Sequence, residues 1–502
     1  MGMAISKKQK AGLMLFFFSV FCCLVLLYTK ITPVMVGDAD DWTYISYSRQ
    51  ALPQLNGWNP AKIFPETFMG FCGNFAAYVI YPIVGDYILS LTYTYGVIIS
   101  VFVTIYILMF YLVLRRYINC GIYQSIFSTF VFVAFHFLLF KSQEHNNVYM
   151  LLSGSLNRTM NYLIPMLLAA ILFFYIVIKY LDLIDMGGRN RDNDIVYGVL
   201  LLALYLVVFS NLATNIIFIA PVMILFMIQL YSFTKHIKAG TEKLCKKSVI
   251  LYFADYFVAF AFEIICLIFE FSGGRAASLD FDLKTAIKEV FFDWQTIIKL
   301  MDIKIAVVSV IIIVIAIIML FFDYRNKRDV RKYIRLFGLL FGSFVICIVY
   351  MTVLFIRVGH HKLSRIDNIS VVFLFYVMLI GLSCAYVLKK IRVLVALIPL
   401  ISYILLFSII NVSRIQGNSF DGGGHLYSGA YSGYYNADEC YEANCKLISE
   451  IVKADKDGLK SVTIDGPWIL SQNEWMGRRV SKTLYRHGLI SNDIDVVITF
   501  TE

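Results

Sequence analysis

Charge is scarce in this sequence: Asp, Glu, Lys and Arg make up 16% of its 502 residues, against 59% hydrophobic. No soluble core could hide that much apolar surface, so a soluble globular fold is excluded and the bilayer becomes the solvent for most of the chain. There is no internal repeat and no low-complexity tract, which excludes a solenoid. The Lys and Arg residues behind the net charge of +10 lie in short clusters between apolar runs. They form no single basic face, which argues against a nucleic-acid partner. No small-x-small cleavage site precedes Ile31, so residues 12–28, although they follow Lys7, Lys8 and Lys10 as a signal peptide would, read as a retained first helix. The ten cysteines form no framework either. Most, such as Cys22, Cys23 and Cys266, fall in apolar segments, where a free thiol behaves as a small hydrophobe.

What the sequence has in abundance is apolar runs, each near the ~20 residues that cross a ~30 Å hydrocarbon layer as a helix. Periodicity and length predict helices over 12–29, 93–114, 122–140, 160–180, 195–211, 215–233, 248–270, 304–322, 335–356, 370–387 and 393–412, about eleven spans. The basic clusters are the N-terminal KKQK, Arg115-Arg116, the loops 187–191, 235–247 and 325–335, and Lys389-Lys390-x-Arg392. All fall on one side of that count, which the positive-inside rule makes cytoplasmic. The N-terminus is therefore expected in the cytoplasm. The tail after Val412 goes to the opposite side, with the longer loops 30–92, 141–159, 271–303 and 357–369. Residues 75–88, interrupted by Pro82 and Asp86, are expected to form a short re-entrant or interfacial helix; a full span there would invert the tail.

The fold class is thus an all-α polytopic membrane domain over 1–412, followed by a small α/β exterior domain within 413–502. In the tail, the Gly/Tyr/Ser-rich stretch 417–435 has neither helix nor strand period and reads as a loop. Residues 436–454 suit a helix, 461–465 a strand, 468–487 a helix and 495–501 an alternating edge strand.

Gly37-Asp38-Ala39-Asp40-Asp41-Trp42 sets three carboxylates just beyond the first helix. They suit a solvated acidic loop, or a general base at the lipid interface, where partial desolvation raises a carboxylate's pKa towards its task. Spacing alone does not choose. Gly359-His360-His361-Lys362-x-x-Arg365 gathers donors in a loop where basic residues are otherwise sparse. Arg can hold two oxygens of a phosphate, with Lys or His supplying a further donor; the same residues would also meet anionic headgroups. Adjacent His residues need a third ligand to hold one ion, so no metal site is expected.

Glu144, His145, Asn157, Arg158 and Asn161 offer the mixed donors and acceptors that sugar hydroxyls need, although Asn157 and Asn161 also suit helix caps. Ser210, Asn211, Thr214 and Asn215 read as a structural turn. Asp255 and Glu263 lie eight residues apart, close to one face of the seventh span. Charges there are costly and would serve a proton-coupled transporter or a hydrogen-bonding pocket. In the tail, Asp465, Trp468, Glu474, Trp475, Arg478 and Lys482 suit either a sugar-holding surface or domain packing. Cys440 and Cys445 are a candidate disulfide in an oxidising compartment. On one unbroken helix their i, i+5 spacing would be poor for the ~5.5 Å Cα separation a bridge prefers, so the bond requires a break near 442–444.

An acidic pair on the first exterior loop, just after the first helix, resembles the signature of GT-C glycosyltransferases, which take sugars from polyprenyl carriers. The wider pattern covers most of the chain: the N-in topology, the many spans, a long first loop (30–92) with Trp58-Asn59-Pro60, and a C-terminal exterior domain. Within that class the chain resembles the bacterial serotype-converting O-antigen glucosyltransferases, which are similar in length and also end in a periplasmic domain. The resemblance implies an inverting hexosyltransferase of the bacterial inner membrane, working on the periplasmic face without a cofactor. It would move a hexose, glucose first, from undecaprenyl phosphate to lipid-linked O-antigen or a related glycan, with membrane lipids and no nucleic acid as its other partners. Asp40 or Asp41 would then be the base, Asp40 first, with Asp38 positioning. Arg365, Lys362, His361 and His360 would bind the donor phosphate. Glu144, His145, Arg158, Asn161, Trp42, Trp468 and Trp475 would meet sugar or acceptor. An O-antigen polymerase, a lipid-glycan flippase and a secondary transporter are the alternatives; the two related halves that transporters often show are not found.

Overall fold

The computed structural model describes residues 6–37, 39–49, 60–140, 150–151, 155–181, 194–238, 246–272, 282–358, 362–391, 401, 404–405, 427–428, 434–435, 437–466 and 474–499. Helix α1 (Lys7–Ile31) opens with a reciprocal cap: Ser6 Oγ accepts from the Gln9 amide and Gln9 Oε1 from the Ser6 amide, satisfying two donors that a helix start leaves over. There follow α2 (Ala39–Tyr44), α3 (Ile63–Val84), α4 (Tyr87–Tyr117), α5 (Ile122–Leu138), α6 (Leu156–Lys179), α7 (Asp194–Val208), α8 (Leu212–Lys238), α9 (Lys246–Ser272), α10 (Leu283–Leu300), α11 (Ile303–Arg325), α12 (Arg331–Val358) and α13 (Ile366–Lys390). Among the described residues, eight helices are long and apolar enough to cross a membrane: α1, α3, α4, α6, α8, α11, α12 and α13. The expected spans 122–140 and 195–211 form the shorter helices α5 and α7, and the expected span 393–412 lies almost wholly outside the described residues.

Contacts sort the helix ends into two faces. On the lower one, Lys332 sits over the Tyr117 ring (5.0 Å), Arg335 Nη1 donates to the Leu181 carbonyl (3.0 Å) and Lys390 pairs with Asp323 (2.5 Å). On the upper one, the Asn157 amide meets Asp41, the Asp302 amide donates to the Leu139 carbonyl (2.9 Å), and the C-terminal unit is seated. Helix α13 is the axis: 89% of its most apolar stretch is buried inside the protein, against 17% for α11, whose Val307, Ile311, Val314 and Ile318 point outward. In a bilayer that outward face meets acyl chains at no hydrophobic cost.

Helix α3 differs from expectation. It starts at Ile63, well before residue 75, and runs through Pro82 to Gly85 (φ +76°). A π-helical turn, Ala76–Ile80, precedes the proline, the kind of local rewinding that accommodates a missing backbone donor. Near its start the Phe64 amide donates to the Phe209 carbonyl (3.4 Å), and towards its end Tyr78 donates to the Arg486 carbonyl (2.5 Å). Between these ends α3 packs along α4, Tyr95 donating to the Met69 carbonyl (2.6 Å) and Phe68 meeting Phe102 edge-on. Residues 45–47 press against it at Gly70 and Gly73. A Cβ at Gly73 would lie 1.9 Å from the Ile45 carbonyl oxygen, so only glycine permits the approach.

The C-terminal unit holds α14 (Ala437–Lys456), β3 (Ser461–Asp465), α15 (Glu474–Arg486) and β4 (Asp495–Thr499). The strands pair in parallel, Val462 opposite Val496, which requires the crossover that α15 supplies. The expected 461–465 strand, the flanking helices and the edge strand are all present. Within 417–435, expected to lack strand structure, β1 (Tyr427–Ser428) and β2 (Tyr434–Tyr435) form a short antiparallel pair. The candidate disulfide is not formed. Helix α14 runs unbroken through 442–444, no bond joins the two sulfurs, and Cys440 Sγ instead donates to the Val36 carbonyl (3.4 Å).

Candidate functional site

The acidic segment folds as the short helix α2, whose neighbouring carboxylates go different ways. Asp41 is wholly buried; its Oδ2 accepts from the Gly37 amide (2.9 Å) and its Oδ1 from the Asn157 amide (2.6 Å). Asn157 lies in the first turn of α6, so this carboxylate satisfies an orphan helix donor and complements the positive end of the helix. Asp40 is half-exposed, its side chain 47% accessible, and its Oδ1 accepts from Arg479 Nη1 of α15 at 2.7 Å. Tyr44, one turn on, has its phenol pushed up to about 12 by burial and by the charges of Glu66 and Asp40. Asp38 lies outside the described residues.

Sequence patterning missed a second carboxylate here. Glu66 of α3 is buried and accepts from Arg49 Nε at 2.5 Å. A Glu in an apolar run seventeen residues from its partner gives no local signal. Trp42, expected to meet sugar, is wholly buried, its indole stacked on Tyr87 with centroids 6.5 Å apart. It packs the core and offers no open face.

Asn157 and Asn161 were candidate helix caps, but Ser155 takes that role, its Oγ accepting from the Arg158 amide (3.2 Å). Asn161 is buried inside a π-helical turn, Thr159–Leu163. Its Nδ2 donates to the Asn157 carbonyl (3.0 Å), and its own carbonyl accepts from Asn211 Nδ2 (2.8 Å). Asn211, expected to be structural, thus ties the turn before α8 to this network. The Arg158 side chain is half-exposed beside it; Glu144 and His145 lie outside the described residues.

On the far side of the same turn stands Arg365. Its guanidinium lies 5.3 Å from the Tyr162 ring centroid and makes a forked pair with Asp367. Burial on its own would lower the guanidinium's pKa, but Asp367 and Tyr162 raise it, and the net shift is upward. The loop is held from below by Asp293, a wholly buried residue of α10 whose carboxylate accepts from the Leu363 amide (3.2 Å) and Ser364 Oγ (2.9 Å). Asn368 Nδ2 donates to the carbonyl of half-buried Lys362 (2.7 Å). His360 and His361 lie outside the described residues.

The 156–163 segment therefore stands between Asp41 and Arg365. Asn157 and Tyr162, which touch them, are separated by roughly 8 Å along a helix axis. Two buried amide oxygens at this junction, Asn161 Oδ1 and Asn368 Oδ1, have no hydrogen-bond partner among the described residues. Buried acceptors of this kind need a donor, which a hydroxyl can supply. Trp468 and the Trp475 side chain lie outside the described residues. Inside the bundle, Glu263 accepts from Asn215 Nδ2 (2.6 Å) and Tyr350 (3.2 Å), whereas Asp255 is exposed and accepts from Tyr197 (2.8 Å). Among the described residues the two acids meet different partners. Comparison with protein-family models, curated proteins and solved structures finds no match to this chain.

Proposed function

We propose that this chain is a multi-pass glycosyltransferase of the GT-C type that transfers a hexose from a polyprenyl-phosphate donor to a lipid-linked glycan at its upper face. The observation that carries the reading is the convergence of Asp40–Asp41 and the Lys362–Arg365 loop on the two sides of the 156–163 turn. Transfer from a polyprenyl phosphate needs a base for the acceptor hydroxyl and cations for the departing phosphate, held in one place. Asp40, half-exposed, is the base; Asp41 fastens α2 to α6. Arg365 and Lys362 receive the phosphate, and Asn161 and Asn368 accept from sugar hydroxyls.

Eleven spans with the N-terminus inside fit the alternation of helix ends, with α9 and the 393–412 segment counted as crossings and α3 as interfacial. Lys7, Lys8, Arg115, Arg116, Arg328, Lys389 and Lys390 gather at the lower ends, which the positive-inside rule turns to the cytoplasm. The upper face is then periplasmic in a bacterial inner membrane, and glucose is the hexose favoured. A reporter fused after Glu502 tests the orientation.

The deciding experiment compares cell-surface glycans in cells making the wild type and, at equal membrane levels, Asp40→Asn and Arg365→Ala. A new hexose with the wild type that disappears in both variants is expected. An unchanged glycan in a host that supplies the native acceptor would sink the reading in favour of a flippase or transporter.

A further inference from the structure

The Asp40–Arg479 pair joins residues 439 positions apart and brings the C-terminal unit directly onto the candidate base. The docking around it is dense. Thr483 Oγ1 donates to the Trp42 carbonyl (2.5 Å) and lies 2.9 Å from Ser46 Oγ; Tyr87 meets His487 Nδ1 (2.6 Å). Helix α14 grips the other flank of the acidic segment, Asn444 Nδ2 donating to the Val36 carbonyl (2.6 Å) and Tyr441 donating to Asp86 (2.5 Å). Gly477 lets α15 seat against β4, since a Cβ there would lie 2.4 Å from the Val496 carbonyl oxygen.

Against that background the ion pair adds little to docking. The Arg479 and Asp40 side chains are 31% and 47% accessible, and pairs so exposed contribute only about 0–1 kcal/mol. The neutral hydrogen bonds and buried apolar contacts hold the unit in place without it. What the pair does fix is the carboxylate: with Oδ1 engaged, rotation about the Cβ–Cγ bond is restrained and the second oxygen has a defined direction.

We propose that Arg479 is a positioning residue for Asp40, so that the C-terminal unit completes the transfer site; this rests on the glycosyltransferase reading above. As the acceptor oxygen bonds to the anomeric carbon, its proton passes to Asp40 Oδ2. The bond from that carbon to the phosphate oxygen breaks, and its electron pair leaves with the phosphate. Arg479 holds Oδ1 throughout and touches neither substrate.

The test uses the full-length protein with undecaprenyl-phosphate glucose as donor and membranes carrying the acceptor glycan. Arg479→Ala is expected to lower kcat at least tenfold with the donor KM within twofold of wild type, and Arg479→Lys to restore part of the loss. Docking is read separately from the yield of a cross-link between Ser46→Cys and Thr483→Cys, expected to be the same with and without Arg479→Ala. A wild-type kcat in Arg479→Ala while Asp40→Asn is inactive overturns this inference alone. A loss of kcat matched by a loss of cross-link also overturns it, because Arg479 would then serve docking. A fully active Asp40→Asn removes the glycosyltransferase base and this inference together.

Discussion

The backbone amide of Asn157 donates to Asp41 Oδ1 across 2.6 Å, joining the residues after the first helix to the start of α6. Asp41 and Asp40 are sequence neighbours with opposite surroundings, so substitutions should separate structure from chemistry. Asp41→Ala takes the acceptor from the part-buried Gly37 and Asn157 amides, a loss of about 1.5–3 kcal/mol for each charge-assisted bond. A clear drop in melting temperature is expected in Asp41→Ala and none in Asp40→Asn, followed by fluorescence-detected size exclusion after heating. Activity is expected to fall in Asp40→Asn by roughly 100-fold or more, as for loss of a general base. Equal thermal stability of the two variants would show that Asp41 is no fastener.

Arg365 is held by Asp367 and Tyr162 in a geometry that only a planar guanidinium satisfies. Arg365→Lys keeps the charge and loses the fork and the stacking, so a loss of roughly 100-fold in kcat is expected, of the size seen when one oxyanion donor is removed. Initial rates at saturating donor check it. A lysine variant as active as wild type would mean that charge alone suffices, and that the role of Arg365 is electrostatic.

The helices that carry this site were legible in the sequence, because apolar runs of bilayer length admit few alternatives. Most of the site's wiring was not. Arg479 is one position from Arg478, which local pattern singled out; the rotational phase of α15 against α2 decides which one reaches Asp40, and that phase belongs to tertiary packing. Trp42 reads as a sugar platform until its burial against Tyr87 is known. The start of α3 was hidden because Gly70 and Gly73, which weaken a helix locally, are the residues that let 45–47 cross it. Likewise the separation of Cys440 and Cys445 on one helix was readable, but whether α14 broke between them was not.

Asp293 supports the loop that carries Arg365. It comes from α10, whose Leu283, Ile287, Phe291 and Ile298 form an exposed apolar stripe suited to the membrane interface. Through Leu363 and Ser364 it holds the loop that presents Arg365. Asp293→Ala should raise amide exchange across 362–365 and cut transfer roughly tenfold, while exchange in α15 stays unchanged. Hydrogen exchange with mass-spectrometric readout checks both regions, and unchanged protection of 362–365 would refute the supporting role.

His487 makes docking of the C-terminal unit sensitive to pH. Burial lowers its pKa from 6.5 to about 4, the Ile45 backbone raising it and Arg486 lowering it by lesser amounts. The docked state therefore keeps the ring neutral where the undocked, solvated ring would bind a proton. Between about pH 6.5 and about pH 4 the undocked state binds more protons, so docking is at full strength above 6.5 and weakens as pH falls through that window. The slope is at most on the order of 1.4 kcal/mol per pH unit for one proton. Limited proteolysis of the C-terminal unit in membranes should thus accelerate from pH 7.5 to pH 5, and His487→Gln, which cannot titrate, should flatten that dependence. Proteolysis as pH-dependent in His487→Gln as in the wild type would assign the effect to another group.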